Sequence, residues 1–190
     1  MKKIILIRHG LTDFLTTGRY QGWSDTPLNS EGRSQIQELV TRFTSEKPEI
    51  IFSSPLERAR ESSEILNRNL NLEIHIDPRI KEISFGEWEG HTYDEILEKY
   101  PDAFEWWKKD LSEFRPEGGE SLLDLQKRVR LFFDSLKDRA ENVIAIVAHG
   151  GVIRAALLEI TERSLDSFWG FEVPPAGMIV TDWEEAKIRV

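Results

Sequence analysis

Apolar and polar positions along the chain change period at regular intervals. The stretch Lys2 to Gly10 holds a short isoleucine-rich run, the mark of a buried strand, and Gly10 turns the backbone, so Arg8 and His9 emerge where the chain leaves the sheet. Leu11 to Leu28 has no clear period and contains Gly18, Gly22, Asp25 and Pro27, which predicts a long loop; loops of this length are mostly functional or disordered. Arg19, Gln21 and Trp23 favour the functional kind. Ile36, Leu39, Val40 and Phe43 then fall at helical spacing, from a cap at Asn29 or Ser30 to a stop before Pro48. Glu49 to Ser53 reads as a second buried strand. Ser54 is the predicted N-cap and Pro55 the first residue of the next helix, with Leu56, Ala59, Ser63, Leu66 and Leu70 on its inner side. That puts Arg58 in or just after the first turn, where free N–H groups and a guanidinium make an anion site. Leu72 to Ile76 alternates as a third strand, ended by Asp77-Pro78.

From Glu82 to Gly119 the pattern loosens and eight aromatic residues gather, from Phe85 and Trp88 through Tyr93, Tyr100, Phe104, Trp106 and Trp107 to Phe114. This predicts a small helical excursion packed over the sheet and walling a crevice; the plainer reading is a satellite core under a long connection. Ser121 to Asp124 forms a capping box, followed by an amphipathic helix through Leu122, Leu125, Val129, Phe132, Phe133 and Leu136. Val143 to Ala148 is another apolar strand, delivering His149 into a Gly-Gly turn, and Val152 to Ile160 is a nearly all-apolar helix. Met178 to Trp183 and Ala186 to Val190, separated by Glu184-Glu185, read as a closing hairpin or edge strands. Strands alternating with helices imply one domain over residues 1–190, a three-layer α/β/α sandwich on a mostly parallel sheet with an antiparallel edge strand. If the first strand and the Val143 strand are parallel neighbours, His9 and His149 face each other across one crevice, at the strand ends where open α/β sheets carry their chemistry.

Composition narrows the partners. A chain of 190 residues with net charge −9 and pI near 5.1 does not suit nucleic acid or an anionic membrane surface, whereas a small anionic ligand depends on local arginine placement. The absence of cysteine removes disulfides, thiolate nucleophiles and cysteine zinc sites together. The opening Met-Lys-Lys-Ile-Ile-Leu-Ile is similar to the start of a signal peptide, but Arg8 interrupts the apolar run. No run approaches the ~18 apolar residues of a membrane span, so a cytoplasmic chain is expected, with a homodimer left open.

No Walker loop, dinucleotide glycine fingerprint or His-Glu-x-x-His helix is present. Of the four histidines, His75 sits mid-strand and His91 in the loose segment, and both read as structural or solvated. His9 and His149 differ, each lying at a strand end beside a glycine. With Arg8 and Arg58 they suit a phosphate monoester, since guanidinium forks match phosphate oxygens and a neutral imidazole can attack phosphorus.

Six motifs in order, Arg8-His9-Gly10, Gly18-Arg-Tyr-Gln-Gly-Trp23, Ser53-Ser-Pro-Leu-Glu-Arg-Ala-Arg60, Glu82-Ile-Ser-Phe-Gly-Glu-Trp-Glu-Gly90, Gly118-Gly-Glu-Ser121 and Ala148-His-Gly-Gly151, resemble the histidine phosphatase superfamily, the phosphoglycerate-mutase-like enzymes. The resemblance implies that His9 is the nucleophile, that Arg8, Arg58 and His149 surround the phosphoryl oxygens, and that Glu82 protonates the leaving oxygen and then activates water. Phe85 and Trp88 would desolvate that acid while nearby arginine opposes them. Glu87 and Glu89 are rival acids that read as solvated loop carboxylates, and Arg60 as a surface residue. Arg19, Gln21, Gly22 and Thr12 are the implied substrate-binding positions, and Leu15 stands where many members carry an Asn on the phosphate. The short chain and the Glu82–Gly90 sequence look like the phosphatase branch, where α-ribazole and broad-specificity phosphatases sit, which implies hydrolysis of a small phosphorylated metabolite with no metal and no cofactor. The alternatives are a cofactor-dependent phosphoglycerate mutase and a silent phosphate-binding module.

Overall fold

The computed structural model describes residues 2–110, 112–183 and 187–189. In chain order the elements are β1 (Lys3–Arg8), α1 (Asp13–Thr16), α2 (Ser30–Ser45), β2 (Ile50–Ser53), α3 (Glu57–Asn67), β3 (Ile74–Ile76), α4 (Tyr93–Lys99), α5 (Pro101–Lys109), α6 (Leu122–Leu136), β4 (Val143–Ala148), α7 (Gly150–Thr161), β5 (Met178–Asp182) and β6 (Lys187–Arg189). They build a sheet in the order β3-β2-β4-β1-β5-β6. β1, β2, β3 and β4 run parallel, and β5 runs antiparallel to both β1 and β6.

Alternation along the central strands divides the core in two. Ile4, Leu6, Ile144 and Ile146 pack with the apolar faces of α6 and α7, whereas Ile5, Ile7, Ala145 and Val147 pack with α2 and α3. Both faces of β1 and β4 are therefore buried, which is why these strands read as continuous apolar runs. A one-residue slip would exchange the two faces, so the register is firmly set, with Ile4 opposite Ile144 and Arg8 opposite Ala148. Both strands end at the same level, and the next residues, His9 and His149, come out side by side.

Several boundaries differ from the sequence pattern. The stretch Leu11 to Leu28 contains α1, a single turn too short to show a period, capped by the Thr12 hydroxyl on Leu15 N. α3 begins at Glu57 and not at Pro55. Leu56 keeps an extended backbone, and Asp25 caps the helix from the neighbouring loop by accepting from Glu57 N at 2.6 Å. The Ser54 hydroxyl accepts from Leu56 N at 3.3 Å, ahead of the helix, and makes a buried hydrogen bond with His149. β3 starts at Ile74 because Leu72 is tied into a turn by both amide atoms of Asn67, at 2.9 Å each. α7 begins two residues before the apolar run, at Gly150. Phe104, Ala186, Glu184, Glu185 and Val190 carry sequence expectations that lie outside the described side chains or residues. No helix among the described residues is long and apolar enough to cross a membrane.

Candidate active site

The turn after β1 is shaped by two backbones in contact. A Cβ on Gly10 would lie within 3 Å of the carbonyl carbon and Cα of Gly32, in the first turn of α2, and a Cβ on Gly32 would collide with the backbone of Leu11. Glycine after Arg8-His9 thus lets α2 close over the strand end and hold His9 in place. His9 is buried, and its Nδ1 lies 2.7 Å from the Gly10 carbonyl. A carbonyl only accepts, so Nδ1 carries the hydrogen. Burial, followed by the charges of Arg58 and Arg8, holds the imidazole pKa well below its ordinary value. The neutral ring therefore keeps a lone pair on Nε2.

His149 is also buried, at the N-cap of α7, its ring centroid 5.1 Å from that of His9. Its Nε2 meets the Ser54 hydroxyl at 2.7 Å, and Nδ1 is buried with no hydrogen-bond partner. Burial and then Arg58 hold this pKa well below the ordinary value too.

Arg58 lies in the first turn of α3, fully buried, and anchors the long loop by donating to the carbonyls of Gly22 at 2.7 Å and Ser24 at 2.8 Å. Desolvation brings its pKa down to about 10, against the pull of Glu82, Asp25 and Glu89. Arg8 donates to the Val173 carbonyl at 2.6 Å. The Nε atoms of both arginines are buried and unpartnered, which is costly unless a ligand oxygen satisfies them. Glu82 completes the cluster. Its carboxylate accepts from Ile83 N at 2.9 Å and from Gly151 N at 3.1 and 3.2 Å, and its charge is felt at Arg8, Arg58 and Arg154. Trp88, expected to desolvate the acid, stacks on Phe114 with centroids 5.4 Å apart.

Above this cluster opens a cavity of about 790 Å³, with Arg8, Glu82, Gly150 and Gly151 in its lining. Its walls are largely aromatic: Tyr20, Phe85, Tyr93 and Trp107 on the side of the 82–119 segment, Phe168 and Trp169 on the other. Leu15 lines it as well.

The other implied binding residues divide. Gln21 lines the cavity, and its Oε1 accepts from the hydroxyls of Thr12 at 2.7 Å and Thr26 at 2.8 Å. Thr12 is buried and its hydroxyl serves α1 and Gln21, a supporting position. Gly22 matters through its backbone: φ is +54°, and its carbonyl receives Arg58. Arg19 lines the cavity, but its fork is engaged by the Glu95 carboxylate at 2.8 and 3.3 Å and by the Gly90 carbonyl.

Two residues were not legible in the sequence. Glu89, read as solvated, accepts from Trp23 N, Phe85 N, Ser24 N and the Ser24 hydroxyl and binds the long loop to the acid segment. Its donors come from two separate stretches, so no local pattern marks it; Glu87 is exposed as read. Arg154, on α7, lines the cavity, and its only signal is a charge in a mostly apolar helix whose other charged residue, Glu159, pairs with Arg130. His75 stacks on Phe52 and pairs with Glu73, His91 lies beside Glu95, and Arg60 is exposed, all away from the cluster.

Comparison with known proteins identifies the family. The sequence profile of the histidine phosphatase superfamily (branch 1) matches residues 4–190. Phosphoserine phosphatase 1 of Hydrogenobacter thermophilus is 33% identical over 188 residues, 98% of this chain and 89% of that protein. A glucosyl-3-phosphoglycerate phosphatase of Mycobacterium tuberculosis is 32% identical over 171 residues, 84% of this chain and 76% of its own. The crystal structure of a putative α-ribazole-5′-phosphate phosphatase from Escherichia coli superposes with a TM-score of 0.94 at 26% identity, covering 100% of this chain and 95% of that one. With the superfamily profile spanning residues 4–190 and a relative 33% identical over 98% of this chain, the protein belongs to the histidine phosphatase superfamily.

Proposed function

We propose that the chain hydrolyses a small phosphomonoester through a phosphohistidine on His9, with phosphatase chemistry favoured over the mutase and silent-module alternatives by the phosphatases among its relatives. The observation that carries this reading is the His9 ring, whose Nδ1–H is committed to Gly10 and whose Nε2 is kept unprotonated by burial and two arginines.

In the first step the Nε2 lone pair attacks phosphorus. The P–O ester bond breaks, and the leaving oxygen takes a proton from Glu82. Arg8 and Arg58 answer the charge on the equatorial oxygens through donors already fixed in place, which supplies electrostatic stabilisation without reorganisation. With the Ser54 hydroxyl donating to Nε2 of His149, that ring carries its hydrogen on Nδ1 and offers it to a phosphoryl oxygen. In the second step the Glu82 carboxylate takes a proton from water, the oxygen attacks phosphorus, and the P–N bond breaks to release inorganic phosphate and restore His9. Guanidinium groups fill the role a divalent cation plays in other phosphoryl transfers.

The test is turnover of a panel of phosphomonoesters by the wild type and by His9→Ala. Release of phosphate from at least one ester by the wild type, reduced by about 10³-fold or more in the variant, is expected. Equal rates for the two proteins would refute the proposal.

A further inference from the structure

Of the two cavity-lining cations that the hydrolytic scheme leaves without work, Arg19 is engaged by Glu95, and Arg154 is the other. It lies one turn after Gly150 on α7, so the two residues share a helix face. A methyl group on Gly150 would sit 3.1 Å from Arg154 Nη1 and 3.5 Å from Arg8 Cζ, so both guanidinium groups crowd the same small volume at the cavity floor. Arg154 is half-buried, its Nε donates to the Phe171 carbonyl at 3.1 Å, and its guanidinium lies 5.5 Å from the centroid of the Trp169 ring. Among the described residues, neither Nη pairs with a carboxylate. The acid that answers its charge is Glu82, which Arg8 and Arg58 already share. Holding two guanidinium groups this close in a partly dry cavity is unfavourable until an anion sits between them.

Charge and shape define that anion. When Glu82 is protonated to act as an acid, three guanidinium groups face the substrate. A phosphoryl dianion answers two of these charges and leaves one. Arg154 is backed by an indole and pinned at Nε, so it presents the edge of its fork, which matches a planar carboxylate with two parallel hydrogen bonds. Because Arg154 adjoins Arg8, the carboxylate must hang close to the ester oxygen.

We infer that Arg154 is a specificity-determining residue that selects phosphomonoesters bearing a carboxylate within two or three bonds of the ester oxygen. The inference rests on the phosphatase reading for its kinetic form, but the recognition itself is a binding property.

O-phosphoserine and O-phosphoethanolamine differ only by that carboxylate and make the decisive pair. The wild type is expected to favour phosphoserine, and Arg154→Met to lower its kcat/KM by about 10- to 100-fold, mainly through KM, the loss expected for a hydrogen-bonded charge pair. Phosphoethanolamine should change by less than about three-fold, with Arg154→Lys intermediate for phosphoserine alone. Calorimetric binding of both esters to His9→Ala and to His9→Ala/Arg154→Met repeats the comparison without turnover, so a failure of the catalytic scheme leaves this test intact. Equal loss for the two esters, or no selective loss in either assay, would overturn the inference.

Discussion

Two imidazoles buried beside two guanidinium groups remain neutral in the folded protein, whereas in the unfolded chain they titrate near 6.5. The unfolded state therefore binds more protons as pH falls below that value, and stability declines with acidification. Each ring contributes up to about 1.4 kcal/mol per pH unit between its unfolded and folded pKa values, and both contributions are fully present above pH 6.5. Urea denaturation of the wild type between pH 7 and pH 5 is expected to show this fall, and His149→Gln should flatten it; an unchanged slope in the variant would contradict the neutral pair. Gly10→Ala should cost about 1–3 kcal/mol, because its obstacle is the backbone of Gly32 and not a mobile side chain. His9, Arg8, Arg58 and His149 were legible because each stands at an element end beside a glycine or a proline turn. Glu89 and Arg154 were not, since what defines them is a partner or a cavity assembled from distant segments.

At the level of elements, the acid segment is held from behind by α6. Arg128 donates to the carbonyls of Arg79, Lys81 and Glu82 at 2.8, 2.6 and 2.7 Å and forks onto Glu120, whose carboxylate accepts from Ser84 N. Arg128→Met leaves three carbonyls and a mostly buried carboxylate without this donor, and about 3–5 kcal/mol of destabilisation is expected by chemical denaturation. Because the arginine acts through the position of Glu82, the variant should also slow esters with poor leaving groups more than p-nitrophenyl phosphate, which scarcely needs an acid. The Arg19–Glu95 pair ties the long loop to α4 at a partly exposed site. Its loss in Arg19→Ala should cost less than about 1 kcal/mol, read in the same denaturation assay. The strands and longer helices were readable because their periods run for several turns or residues. The start of α3 was not, since Asp25, a loop residue far back in sequence, provides its cap, and the Ser54 hydroxyl bonds Leu56 N, ahead of the helix, and His149.

Across the whole molecule, the order β3-β2-β4-β1-β5-β6 places the first strand beside one from late in the chain and brings both imidazoles to the same edge of the sheet. The 82–119 segment then covers that edge with an aromatic wall, so a buried cationic floor lies beneath a largely apolar cavity. The repeated strand-His-Gly pattern made this convergence readable, because parallel neighbours of equal register end together. The size of the cavity and the place of Arg154 in it were not, as they arise from the packing of the 82–119 segment and of the segment after α7 around the strand ends. Since the floor supplies its charge from arginine, activity is expected to persist in EDTA, and loss on chelation would contradict that account. The most direct test of the central claim is rapid quenching of wild-type enzyme during turnover under alkaline conditions, which preserve phosphohistidine, followed by peptide mass spectrometry. The account predicts one phosphoryl group on His9 and none in His9→Ala; turnover with unmodified His9, or with the phosphoryl group on another residue, would contradict it.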